Sequence, residues 1–229
     1  MNARPTAAHL TLAVALVAAP VLMGAASLVD LSPRADDTAE LLALVAESPG
    51  RWEIGRLLFL LSGIAWVAAA VGLLVVFRGR SRAGLVGAVG LLLGGAAFVP
   101  IEAAGSYLAP LATGEIARSD QVTLVTAVEA SGQILAFETV HVVGLLGGMV
   151  LVAVGQLRTG VVPRWAPALL VLGLVGILAF TSGVPLAIAM GAVAASMAAC
   201  AVRLVRRGGQ RTPSVGRTGA APRIEQSTA

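Results

Sequence analysis

The sequence predicts an all-α fold, a polytopic transmembrane helix bundle of about six spans with both termini on the cytoplasmic side. Three observations carry that expectation. Only 12% of the 229 residues are charged and 57% are hydrophobic, against roughly 25% charged in an ordinary soluble domain. The apolar residues gather in runs of about 20, the length that crosses a hydrocarbon core of about 30 Å as a helix. The arginines collect in alternate connections, and positive charge close to a span is retained in the cytoplasm.

The first run, residues 9–29, reads as a retained span; Arg4 ahead of it and Gly24 and Ala26 near its end also fit a secretory signal, but the run exceeds the usual apolar core of about 7–15 residues. Residues 30–56 form an acidic outer loop. Within it Asp36 is placed to cap a short amphipathic helix, with Leu41, Leu42, Leu44 and Val45 on one side and Glu40 and Glu47 on the other. Such a helix suits the membrane surface or the mouth of the bundle. Residues 57–77 are the second span, closed by Arg78, Arg80 and Arg82, and residues 83–104 are the third. A polar stretch follows, whose second half from Asp120 reads as a helix running into the fourth span, 134–157. Residues 165–182 and 186–205 are the fifth and sixth spans. The remainder, 206–229, is rich in Arg, Gly, Ser, Thr and Pro and reads as a disordered basic cytoplasmic tail.

Twelve of the sixteen basic residues, all of them Arg, fall on one side: Arg4, Arg78, Arg80, Arg82, Arg158, Arg164, Arg203, Arg206, Arg207, Arg211, Arg217 and Arg223. Arg34, Arg51, Arg56 and Arg118 fall on the other, with nine of the twelve acidic residues. The first side is therefore cytoplasmic. Arg78, Arg80, Arg82, Arg203, Arg206 and Arg207 are candidates for contact with anionic lipid headgroups, a more economical reading of the basic balance than nucleic-acid binding.

Small residues four apart, Gly90 with Gly94, Gly144 with Gly148, and Gly191 with Ala195 and Ala199, make flat stripes where helices touch closely. They serve either packing within one chain or a homo-oligomer interface.

Ionisable groups inside spans are costly, about 2.5–3.5 kcal/mol at a helix centre, and each needs an explanation. Three lie well inside the runs: Glu102, Glu138 and His141. At about 1.5 Å per residue, all three fall in the outer half. Glu138 and His141 are three apart and share a helix face, and that face is placed to meet Glu102. These residue types fit a proton relay or a cation site. Glu-x-x-His is also half of a di-iron bundle pattern, so a mononuclear metal centre is the alternative, while carboxylates reaching interfacial water beside a hydrogen-bonded histidine is the plain structural one. Trp66, mid-span, reads as a packed indole.

Several classes are excluded or unsupported. One cysteine, Cys200, permits no intramolecular disulfide or Cys-based cluster. Without lysine there is no phosphate-binding Gly-x-x-x-x-Gly-Lys-Ser/Thr loop, and His-Glu-x-x-His and Gly-x-Ser-x-Gly are missing. Two histidines, His9 and His141, fall at opposite ends of their spans, so a di-haem carrier has no ligand set. No cofactor is expected.

The segment from Arg158 to Trp165, Arg-Thr-Gly-Val-Val-Pro-Arg-Trp, resembles a cytoplasmic turn of uncharacterised bacterial multi-pass membrane proteins with about six helices, an acidic first outer loop and a basic tail. The resemblance implies the bacterial cytoplasmic membrane and carries no activity. The functional reading is a small transporter-like or sensory membrane component with an outer-half polar site. Its alternatives are a scaffold or partner subunit of a membrane complex, and a membrane-embedded metalloprotein or enzyme built on Glu138, His141 and Glu102.

Overall fold

The computed structural model describes residues 6–180 and 182–209. Arg4, Thr181 and the expected tail beyond Gly209, with Arg211, Arg217 and Arg223, lie outside the described residues. Those described are helical or in short connections: α1 (Ala7–Val29), α2 (Thr38–Glu47), α3 (Pro49–Phe77), α4 (Arg82–Gly105), α5 (Leu108–Thr113), α6 (Arg118–Glu129), α7 (Gly132–Val142), a π turn (Val143–Gly147) leading into α8 (Gly148–Thr159), α9 (Trp165–Ala179) and α10 (Gly183–Gly208).

Among the described residues five helical stretches are long and apolar enough to cross a membrane: Ala7–Arg34, Pro49–Phe77, Arg82–Thr113, Gly132–Thr159 and Gly183–Gly208. The apolar α9 has 15 residues, about 22 Å at the helical rise. The long elements pack as a closed ring in which α1 touches α3, α3 touches α4, α4 touches α7 and α8, α8 touches α9, α9 touches α10, and α10 returns to α1. Leu16, Trp66, Leu73, Met149 and Met197 fill its interior without exposure. The outside carries Val14, Ile64, Val86, Val143, Leu172, Leu178 and Ile188 at 53–68% exposure, an apolar girdle unsuited to water and suited to lipid.

Connections sort by end. At one end Phe77 to Arg82 turns tightly through Gly79, whose φ of +70° suits a residue without a side chain. α8 ends there on the left-handed Gly160, and Arg207 donates to the Val75 and Val76 carbonyls at 2.6 and 3.1 Å, closing the last turn of α3. At the other end, α2, α5 and α6 form a lid with its own core of Leu42, Val45, Trp52, Leu108, Leu111 and Val125. We call these the arginine end and the acidic end.

Four expectations change. The cap of α2 is Asp37, not Asp36: its side chain accepts from the Glu40 N–H at 2.8 Å, while the Glu40 carboxylate accepts from the Asp36 N–H at 2.7 Å, a reciprocal tie that fixes the start one residue later. The helix after Asp120 does not run into the next span, because Ser131 breaks away and caps α7 by accepting from Ile134 N–H. The helix that contains the second expected span starts eight residues before residue 57, since Pro49 at the first helical position tolerates the missing donor there. α10 extends to Gly208 and so carries Arg206 and Arg207.

Candidate functional site

The early start of α3 places Trp52, Arg56 and Phe59 at helical spacing on one face. Arg56 donates from one guanidinium nitrogen to Glu102 at 2.9 Å and from the other to Asp30 at 2.8 Å, with Ser32 Oγ at 3.3 Å. The guanidinium lies 4.2 Å over the Trp52 ring and 5.3 Å from that of Phe59. Side-chain exposures are 14% for Arg56, 13% for Asp30 and 5% for Glu102. Charge-assisted bonds of this geometry offset desolvation that an unpaired ion would carry alone. The cluster ties α1, α3 and α4 together at their acidic ends. Trp52 adds an indole N–H to the Gly105 carbonyl at 3.1 Å, and Arg51 donates to the Val29 carbonyl at 2.9 Å, satisfying helix C-terminal acceptors.

One turn deeper, Phe59, Phe98 and His141 form an aromatic floor. Phe98 meets Phe59 edge-on at 5.8 Å and stacks on His141 at 4.2 Å with 14° between planes. The His141 Nδ1–H donates to the Gly94 carbonyl at 3.0 Å, an assignment that follows because a carbonyl only accepts.

Above the floor, beside the ion cluster, opens a cleft of ≈ 240 Å³ lined among others by Trp52, Arg56, Tyr107, Glu129 and Glu138. Glu129 ends α6 and Glu138 sits in the second turn of α7; both are exposed. Burial pushes the Glu129 carboxyl above its ordinary 4.5, and the neighbouring Glu138 pushes it the same way.

The predicted site residues are thus partly assembled. The Glu138–His141 face of α7 does meet α4, but through Phe98 and Gly94. Glu102 turns to α3 and is committed to Arg56. Among the described residues no three His, Cys, Asp or Glu side chains are placed to hold a metal ion, so the three-ligand centre on Glu102, Glu138 and His141 is not formed.

Sequence reasoning missed Asp30, Arg56 and Glu129, which it left in loops and connections. The available signal was Trp52, Arg56 and Phe59 at i, i+4 and i+7 behind Pro49. It also missed Gln156, 1% exposed on α8, whose amide N–H donates to Ser196 at 3.4 Å and Cys200 at 3.2 Å. Among the described residues its carbonyl oxygen has no partner, nor has the Trp66 indole N–H. Gln156→Met removes the orphaned acceptor but also the amide's long bonds to Ser196 and Cys200, opposing effects on stability expected to leave a net change of no more than about 1 kcal/mol. A loss well beyond that would show that the bonds to Ser196 and Cys200 hold α8 to α10 more strongly than their lengths imply.

The glycine stripes pack on one another inside the chain. A β-carbon on Gly144 would stand 2.7 Å from the Gly90 carbonyl oxygen, and one on Gly94 2.7 Å from the Leu145 nitrogen; Gly87 and Gly148 are equally tight. On the third stripe Gly191 has open space beside it.

A family described as "Domain of unknown function (DUF4386)" matches residues 11–206. No curated protein and no solved structure matches the chain.

Proposed function

Because the chain belongs to the DUF4386 family, whose description names no activity, we propose its function from its own site: a small sensory or transporter-like membrane component that takes up a proton or small cation in the cleft at its acidic end. The observation that carries this reading is a charge imbalance. Around that cleft one guanidinium, Arg56, stands among four carboxylates, Asp30, Glu102, Glu129 and Glu138. Asp30 and Glu102 are answered by Arg56. Among the described residues Glu129 and Glu138 have no such partner, and their mutual repulsion favours a bound cation or a proton on Glu129.

In this reading the chain crosses the bacterial cytoplasmic membrane six times, with α9 as a short fifth span and both termini in the cytoplasm. The support is the segregation of charge: Arg78, Arg80, Arg82, Arg158, Arg164, Arg203, Arg206 and Arg207 at one end, the carboxylates at the other. The arginine end then faces anionic headgroups. The metalloprotein alternative loses its ligand geometry. The scaffold alternative loses its free stripes on α4, the π turn and α8, which are consumed within the chain.

The test is cation-dependent melting of the protein in lipid nanodiscs. A ligand that binds the folded form alone stabilises it by mass action, so titrated sodium, calcium or tetramethylammonium is expected to raise the wild-type melting temperature and to lose that effect in Glu138→Gln. Equal responses in both proteins would overturn the assignment.

A pH effect follows from Glu129, which faces Glu138, Tyr107 and Arg56 across the cleft. A carboxyl raised by folding holds its proton more tightly in the folded state. Its contribution is therefore present below the ordinary value of 4.5 and is lost as pH rises through the raised one. Melting of wild type minus Glu129→Gln should fall across that window. A flat difference would show that Glu129 does not feel its surroundings.

A further inference from the structure

We propose that the groove between the start of α9 and the end of α10 is a specific site for one anionic phospholipid, its phosphate held by Arg203 and Arg206 and its first acyl segment along Ala199 and Val202. The groove encloses ≈ 320 Å³ and has Trp165 at its rim, within the range of about 300–1,000 Å³ typical of ligand sites. Its lining is apolar except for the two guanidiniums, the division of a phospholipid's own surface. Trp165 is 51% exposed, as suits an indole at a headgroup boundary.

Three features argue for an anion from outside the chain. Every Asp and Glu among the described residues lies toward the opposite end, between residues 30 and 53, at 102, or between 115 and 138, so none of these carboxylates is within reach of Arg203 or Arg206. Arg207 on the same helix turn is occupied by the Val75 and Val76 carbonyls, whereas among the described residues the Nε of Arg203 has no hydrogen-bond partner. The N-terminus of α9 carries no side-chain cap, and its first residue, Trp165, lines the groove, adding the positive end of a helix dipole. This site is independent of the carboxylate cleft at the other end.

The experiment is native mass spectrometry of the full chain from detergent, titrated with phosphatidylglycerol, phosphatidylcholine or inorganic phosphate. Wild type is expected to retain one phosphatidylglycerol in preference to phosphatidylcholine. Arg203→Gln with Arg206→Gln should weaken it about 30-fold, the loss of two arginine–lipid contacts. Val202→Trp, which fills the groove at an exposed position and changes no charge, should also lose it. Arg78→Gln with Arg80→Gln, an equal charge change at exposed positions of the same end, should keep it. Equal weakening by both arginine pairs would reduce the site to diffuse surface charge, and retention in Val202→Trp would remove the groove. Inorganic phosphate competing as well as lipid would make it a phosphate site; each of these results overturns the proposal.

Discussion

Arg56→Met is expected to destabilise the protein by about 3–5 kcal/mol, the usual consequence of removing one partner from a buried ionic cluster. The loss comes from what stays behind: Asp30 and Glu102, 13% and 5% exposed, face each other with no cation between them. The Met stem still packs on Trp52 and Phe59, so shape is largely kept and the effect isolates charge. The same argument predicts rescue. With Asp30→Asn and Glu102→Gln added, the desolvated charges are gone and most of the stability should return. Reversible melting of the single, double and triple variants measures both halves. A single-variant loss under about 1 kcal/mol would mean the cluster behaves as an exposed salt bridge.

Gly144→Leu should be the other severe change. No Leu fits where a β-carbon would already stand 2.7 Å from the Gly90 carbonyl oxygen and 2.8 Å from the Gly94 nitrogen, and backbone on both sides leaves nothing flexible to yield. Separating α4 from α7 and α8 is expected to cost at least the upper part of the ~1–3 kcal/mol seen for overpacked cores, and to break the His141 bond to Gly94. Gly147→Leu is the control, since nothing lies within 4 Å of its β-carbon position. Cross-linking beside the melting curves reads the competing idea. Intact melting with a dissociated oligomer in Gly144→Leu would put that stripe on an outer interface.

Much of the architecture was legible because the bilayer imposes it. Runs near 20 apolar residues and the partition of Arg78 to Arg82 from Asp30 to Glu53 leave few alternatives to a helical membrane bundle. The small-residue stripes were legible as contacts, but which stripes pair depends on the ring order, which no local spacing encodes. Glu102, Glu138 and His141 were singled out because charge within an apolar run is conspicuous. The partner of Glu102 was not, since Arg56, and Asp30 that shares its guanidinium, sit at the ends of runs, where charge is unremarkable until α3 is known to begin at Pro49. The short α9 and the π turn at Val143–Gly147 carry no composition signal that distinguishes them from an ordinary span.

The carboxyl pair at the acidic end is the centre of the functional account, and its infrared absorption tests it most directly. Protonated and ionised carboxyls absorb separately, so the nanodisc-embedded chain can be titrated with and without added cation. Relative to Glu129→Gln with Glu138→Gln, wild type is expected to show an additional protonated-carboxyl signal that persists above the ordinary carboxyl range and shifts to lower pH when cation is added. Superimposable titrations of wild type and that double variant, insensitive to cation, would contradict it.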